Sequence, residues 1–124
     1  MPADAPAPHD LGAPRRIHVV NVGGAGMSAI ALVLAQMGHE VSGVDERETP
    51  FLPPLRALGV DVTVGAAGLG DATGLDAVVT STATPADHPD VRAARAGAVV
   101  VVHRRDALAA ICAQRSVLAV AGTH

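Results

Sequence analysis

From residue 16 onward the chain alternates between short apolar runs and segments of helical period. Residues 17–22 are apolar except for His18 and Asn21 and read as a buried strand. Residues 25–37 place Met27, Ile30, Leu34 and Met37 on one stripe, the spacing of an amphipathic helix, and Gly38 stops it. Residues 40–44 predict a second strand, 53–58 a short helix closed by Gly59, and 60–64 a third strand. Residues 65–74 are glycine-rich and without period. A fourth strand follows at 77–81, then a helix at 89–96 that opens on Pro89, where a missing N–H costs nothing. Residues 99–102 predict a fifth strand, 104–113 a helix and 117–121 a sixth strand.

Short, wholly apolar strands alternating with helices imply parallel strands buried on both faces, hence an α/β sandwich. Ligands in such sheets bind outside the carboxyl ends of the strands. Four segments meet that condition: 21–28, 45–47, 81–84 and 103–105. Each is polar or glycine-rich where an apolar strand stops.

Composition narrows the function classes. The 124 residues suffice for one domain with a single core. Apolar residues are 49% of the chain, mostly Ala and Val, and Phe51 is the only aromatic, which excludes a single-strand-binding platform of stacked rings. All nine basic residues are Arg, the net charge is −3, and the densest basic patch is "HRRD" at 103–106. No basic stripe exists, so nucleic acid is not an expected partner. Cys112 is the only cysteine; with no internal disulfide possible, it reads as a small apolar residue in a helix and fits a reducing compartment. The start, "MPADAPAPHDLGAPRR", lacks the basic and apolar regions of a signal peptide, and its Pro, Ala and Asp predict a disordered lead-in over residues 1–15. No apolar run reaches the roughly 18–20 residues of a membrane span. The expectation is a cytoplasmic protein with no membrane insertion.

The segment "VVNVGGAGMSAI" at 19–30 carries the chemistry. Against the dinucleotide pattern G-x-G-x-x-G it reads Asn21-Val22-Gly23-Gly24-Ala25-Gly26. Asn tolerates a left-handed backbone, so the turn survives the substitution. Gly23 and Gly24 let backbone N–H groups approach a diphosphate, and the following helix points its positive end at the anion. Ser28, in the first turn, could donate a hydroxyl. Asp45 follows Gly26 by nineteen residues, about the distance at which a carboxylate meets a ribose. The bland alternatives are a glycine turn that only packs helix against strand, and a solvated loop acid. His18, inside a strand, reads as a satisfied structural histidine; His9, His39 and His88 read as surface residues. No metal-ligand spacing or nucleophile–base pair is visible, so no catalytic residue is assigned.

"IHVVNVGGAGMSAIA", "GHEVSGVD", "STATPADHPDV", "HRRDAL" and the terminal "AVAGTH" together resemble the Mur ligases of peptidoglycan synthesis. The resemblance covers residues 16–124, and Asn21 departs from the family's usual Gly. It implies a Rossmann-like domain over residues 16–115, a parallel sheet of about five strands flanked by helices that binds the UDP of a nucleotide-sugar. The GGAGMS wording points to the branch that joins L-alanine to UDP-N-acetylmuramate. By position, Gly23, Gly24, Ala25, Gly26 and Met27 would cradle the diphosphate, with Ser28 beside them. Asp45, Glu46 and Arg47 would border ribose and uracil, Ser81, Thr82 and Ala83 would line the other wall, and His103 and Arg104 would stand at the same rim. The resemblance also makes residues 116–124 the first strand and P-loop start of a central ATPase domain. Gly122, Thr123 and His124 match the first three residues of Gly-Thr-His-Gly-Lys-Thr. ATP, Mg²⁺ and L-alanine are then requirements of a longer parent, and the 124 residues alone would bind the nucleotide-sugar without catalysis. A stand-alone NAD(H)-sensing module is the alternative; the spacing to Asp45 fits both, "AGTH" only the first.

Overall fold

A computed structural model describes residues 11–13, 15–65 and 68–122, with side chains on the last helix described up to Arg115. Five strands form one sheet: β1 (Arg16–Val20), β2 (Glu40–Asp45), β3 (Asp61–Val64), β4 (Ala77–Thr80) and β5 (Val100–His103). Their order is β3-β2-β1-β4-β5 and every pairing is parallel. The helices are α1 (Ala25–Gln36), α2 (Leu52–Ala57), α3 (Pro89–Ala96) and α4 (Arg104–Gly122). The chain is thus the Rossmann-like α/β sandwich that the apolar pattern and the resemblance predict.

Strand alternation divides the core. Ile17 and Val19 of β1, Val41 of β2 and Val79 of β4 face the larger cluster, which Met27, Ile30 and Leu34 of α1, Leu52 and Leu55 of α2, and Ala107 and Ile111 of α4 complete. Val20, Val44 and Val78 face the other way, against Ala94 of α3. Leu34, Leu52 and Leu55 are almost wholly excluded from water; truncating such a leucine to alanine costs about 2–5 kcal/mol. The described residues of the β3–β4 connection cross the α3 side and form no helix.

Most element ends fall within a residue or two of the sequence reading. The exceptions have physical causes. Residues 117–121 do not form a sixth strand; α4 continues through them to Gly122. A strand needs a neighbour for its backbone groups, whereas a helix satisfies them locally, and Leu118, Ala119 and Ala121 are good helix formers. Leu11, placed in the lead-in by its setting among Pro and Ala, is only 9% exposed and joins the larger core. Residues 1–10, where the rest of that lead-in falls, lie outside the described residues. His39 is buried rather than superficial. Its Nδ1 accepts the amide of Arg15 at 3.1 Å, which ties the approach of β1 to the entry of β2.

Candidate functional site

β1 stops at Asn21, which takes a left-handed φ of 56° as its side chain permits. The turn closes with the Gly24 amide on the Asn21 carbonyl at 3.1 Å, and the Val22 amide bonds the Val44 carbonyl at 3.0 Å. Ser28 N–H to Gly24 O, at 2.8 Å, is the first i to i−4 bond of α1. The amides of Ala25, Gly26 and Met27 precede it and need acceptors from outside the helix. Gly24 is the N-cap and offers no side-chain acceptor. An uncapped helix start therefore opens at the carboxyl edge of the sheet.

Arg104 lies over this helix start. A Cβ built on Gly26 would stand 3.0 Å from Arg104 Nη1. No salt bridge among the described residues includes Arg104. A guanidinium against the positive end of a helix is a like-charge arrangement, and an anion between them reverses its sign. A cleft of about 360 Å³ occupies that place, lined by Asn21, Gly24, Gly26, Met27, Ser81, Thr82, Ala83 and Arg104. Its second wall is the turn after β4, closed by Thr84 N–H to Ser81 O at 3.0 Å and Ser81 N–H to Thr84 Oγ1 at 3.1 Å. His103 supports that wall. Its Nδ1 accepts the Arg105 amide at 3.1 Å, so the neutral ring carries its proton on Nε2 and directs it to Thr82 Oγ1 at 3.0 Å.

Asp45 stands apart from this cleft, on the far side of Gly23. Its Oδ2 accepts the Gly23 amide at 2.9 Å and its Oδ1 the Arg47 amide at 3.3 Å. Thr49 Oγ1 donates to the Gly23 carbonyl at 2.8 Å. Gly23 is held by both its amide and its carbonyl, and a Cβ there would sit 2.8 Å from Asp45 Oδ2 and 2.9 Å from Thr49 Cγ2. Gly23 is therefore needed for close approach of protein to protein. Glu46 and Arg47 are exposed beyond it. Ser28 is buried and donates its hydroxyl to Ala25 O at 3.0 Å, within its own helix. Gly122 lies at the end of α4, and Thr123 and His124 lie outside the described residues.

The structure thus gathers Gly24, Gly26, Met27, Ser81, Thr82, Ala83 and Arg104 around one cleft, with Ala25 beside it and His103 behind it, and leaves Asp45 apart from it, beyond Gly23. Thr49 escaped the sequence reading. Its only signal is a hydroxyl in the polar loop after β2, four residues beyond the acid.

A second, larger cleft of about 510 Å³ opens on the α3 side, beside the β3–β4 connection; His18 and Ser42 are in its floor. His18 Nδ1 is 2.7 Å from Ser42 Oγ, and His18 Nε2 is 2.8 Å from Asp90 Oδ2. Asp90 is fully buried, and its Oδ1 accepts the Leu69 amide at 2.6 Å. Both ring nitrogens are engaged, as a structural histidine requires. Among the described residues no cluster of His, Cys, Asp or Glu could hold a metal, and no helix is long and apolar enough to cross a membrane.

A family model described as "Mur ligase family, catalytic domain" matches residues 16–116. The chain belongs to the Mur ligase family. It is 48% identical over 111 residues to the UDP-N-acetylmuramate–L-alanine ligase of Rubrobacter xylanophilus, covering 88% of this chain and 24% of that one. It is 49% identical over 110 residues to the enzyme of that name from Streptomyces coelicolor, again covering 88% and 24%. The crystal structure of UDP-N-acetylmuramate–alanine ligase from Thermotoga maritima superposes with a TM-score of 0.64 at 32% identity, over 74% of this chain and 21% of that one. This Mur ligase chain spans about a quarter of the length of the curated relatives it matches.

Proposed function

We propose that this chain binds UDP-N-acetylmuramate, as the nucleotide-sugar-binding part of a ligase that adds L-alanine to it in peptidoglycan synthesis. The observation that carries this reading is the uncapped start of α1 facing a cleft with an arginine that no described carboxylate pairs. The amides of Ala25, Gly26 and Met27 would donate to the diphosphate, and Arg104 would neutralise it. Hydrogen bonds to charged groups contribute about 1.5–3 kcal/mol each. Asp45 keeps lone pairs beyond its two backbone bonds, and these would accept from the ribose hydroxyls. Thr82, held by His103, would border the other side. The names of the relatives support the choice of sugar and amino acid; the uncapped helix start and Arg104 support a diphosphate.

ATP and Mg²⁺ belong to the family's P-loop, whose lysine reaches the phosphates. The 124 residues contain no lysine, so that contact is not among them. We expect the chain alone to bind the nucleotide-sugar without ligation. A cytoplasmic location goes with this reading.

Titration calorimetry with UDP, UDP-N-acetylmuramate, ATP and NAD tests the reading. Uptake of both uridine nucleotides and none of ATP is the expected result. Tighter binding of NAD than of UDP overturns it in favour of a dinucleotide-sensing module.

A further inference from the structure

We propose that Ser42, His18 and Asp90 form a second reactive site, in which the Ser42 hydroxyl takes an acyl group from a small carboxylic ester. Val20 and Val44 face α3, and strand alternation puts His18 and Ser42 on that same face. The two pair in register across β1 and β2. Ser42 is half-buried in the floor of the 510 Å³ cleft, which shares no lining residue with the cleft at the start of α1. His18 and Asp90 continue inward from it and are almost wholly excluded from water.

A carboxylate only accepts hydrogen bonds, so Asp90 Oδ2, 2.8 Å from His18 Nε2, fixes the proton of the neutral ring on that nitrogen. Nδ1 is then an acceptor, and at 2.7 Å it receives the Ser42 hydroxyl. The bonds that satisfy a buried histidine thus also prepare it as a base. Hydroxyl, imidazole and carboxylate form one chain, with the two ring nitrogens exchanged relative to the serine proteases. The Leu69 amide holds Asp90 in turn, on Oδ1 at 2.6 Å. Separations of 24 and 72 residues hide the set from the sequence. In the reaction, Ser42 Oγ attacks the ester carbonyl carbon and its proton passes to His18 Nδ1. The bond from that carbon to the leaving alcohol then breaks, the alcohol oxygen takes the proton from Nδ1, and Ser42 is left acylated. Arg16 lines the same cleft and supplies a cation for the carbonyl oxygen as it becomes negative. Asp90 does not touch the ester; it is a positioning residue that holds the tautomer.

The test uses p-nitrophenyl acetate as the ester. The folded wild-type chain should release nitrophenolate in a burst and carry an acetyl group that peptide mass mapping places on Ser42; the chain in urea should do neither. Ser42→Ala should lose the burst. Asp90→Asn keeps the volume of the side chain and an acceptor for the Leu69 amide. Its amide group donates to His18 Nε2, however, which moves the ring proton to Nδ1 and removes the base. Acylation should slow about 10²- to 10⁴-fold in that variant while its circular dichroism stays that of the wild type. A folded wild-type chain without an acetyl group on Ser42 overturns the proposal, whatever the variants do. Acylation of folded Asp90→Asn at the wild-type rate overturns it as well, because a hydroxyl that reacts without the relay is only an exposed serine.

Discussion

The Gly23 amide donates to Asp45 Oδ2 at 2.9 Å, so the acid at the end of β2 braces the turn at the end of β1. Thr49 Oγ1 holds the same residue by its carbonyl at 2.8 Å. The donors left for a ligand are the first amides of α1, one turn further on. Two adjacent glycines therefore have different reasons to be glycine. Gly23 is buried between Asp45 and Thr49, whereas Gly24 is exposed in extended backbone, with φ of −75° and ψ of 157°.

Substitution at the two positions should separate stability from binding. Gly23→Ala forces its Cβ against Asp45 and Thr49 and should destabilise the fold by about 1–3 kcal/mol, as overpacking does. Gly24→Val meets only the Asn21 carbonyl, at 3.5 Å, and its backbone angles suit a branched residue. It should melt near wild type and lose UDP. Thermal melts and calorimetry on the pair decide this; a Gly24→Val chain with unchanged UDP affinity sinks the assigned loop.

Arg104 should show opposite effects on stability and on binding. Arg104→Gln removes a cation from the positive ends of α1 and α4, which should leave the ligand-free chain as stable or more so, by up to about 1 kcal/mol. The same change should weaken UDP about ten- to 150-fold. The affinity difference should shrink at high salt, because the site is open to solvent. A variant that loses stability and keeps its affinity for UDP would make Arg104 a structural residue.

The sheet was readable because buried parallel strands are written as short apolar runs: β4 and β5 are apolar up to their last residue, while His18 interrupts β1 and Ser42 interrupts β2. Asn21 was readable too, since few side chains accept a positive φ. What the sequence hides is long-range pairing. Nothing near Gly23 announces that Asp45 will take its amide, or that Thr49 will hold its carbonyl. The burial of His39 depends on Arg15, distant in sequence, and that of His18 on Asp90, more distant still. The run at 117–121 failed for a different reason. An apolar string of Val, Leu and Ala suits a strand or a helix, and periodicity cannot choose between them over so short a span.

The His18–Asp90 pair should matter more to stability than any surface ion pair here. It joins β1 to α3, and through the Leu69 amide it holds the β3–β4 connection. Asp90→Ala leaves His18 Nε2 and the Leu69 amide without their acceptor, at a cost of about 3–5 kcal/mol. Breaking the exposed Arg56–Glu48 pair with Glu48→Gln should cost under about 1 kcal/mol. Urea titrations of the two variants test the contrast; similar midpoints would show that the buried network contributes little.

Acid should weaken the fold before the carboxylates titrate. Burial, and then the Arg15 cation, hold the His39 pKa below its ordinary 6.5. The folded state therefore keeps His39 neutral where the unfolded chain has begun to take up a proton. Protons then favour unfolding, so the contribution is complete above about pH 6.5 and is lost as pH falls below it. Glu48 and Asp71 have lowered pKa values as well, from hydrogen bonds with Arg56 and Thr73, but they act only below about pH 4.5. The urea midpoint should therefore fall between pH 7.5 and pH 5.5. His39→Asn keeps an acceptor for the Arg15 amide and has no charge to gain, so it should flatten that fall. Equal slopes in His39→Asn and wild type would show that another group carries the dependence.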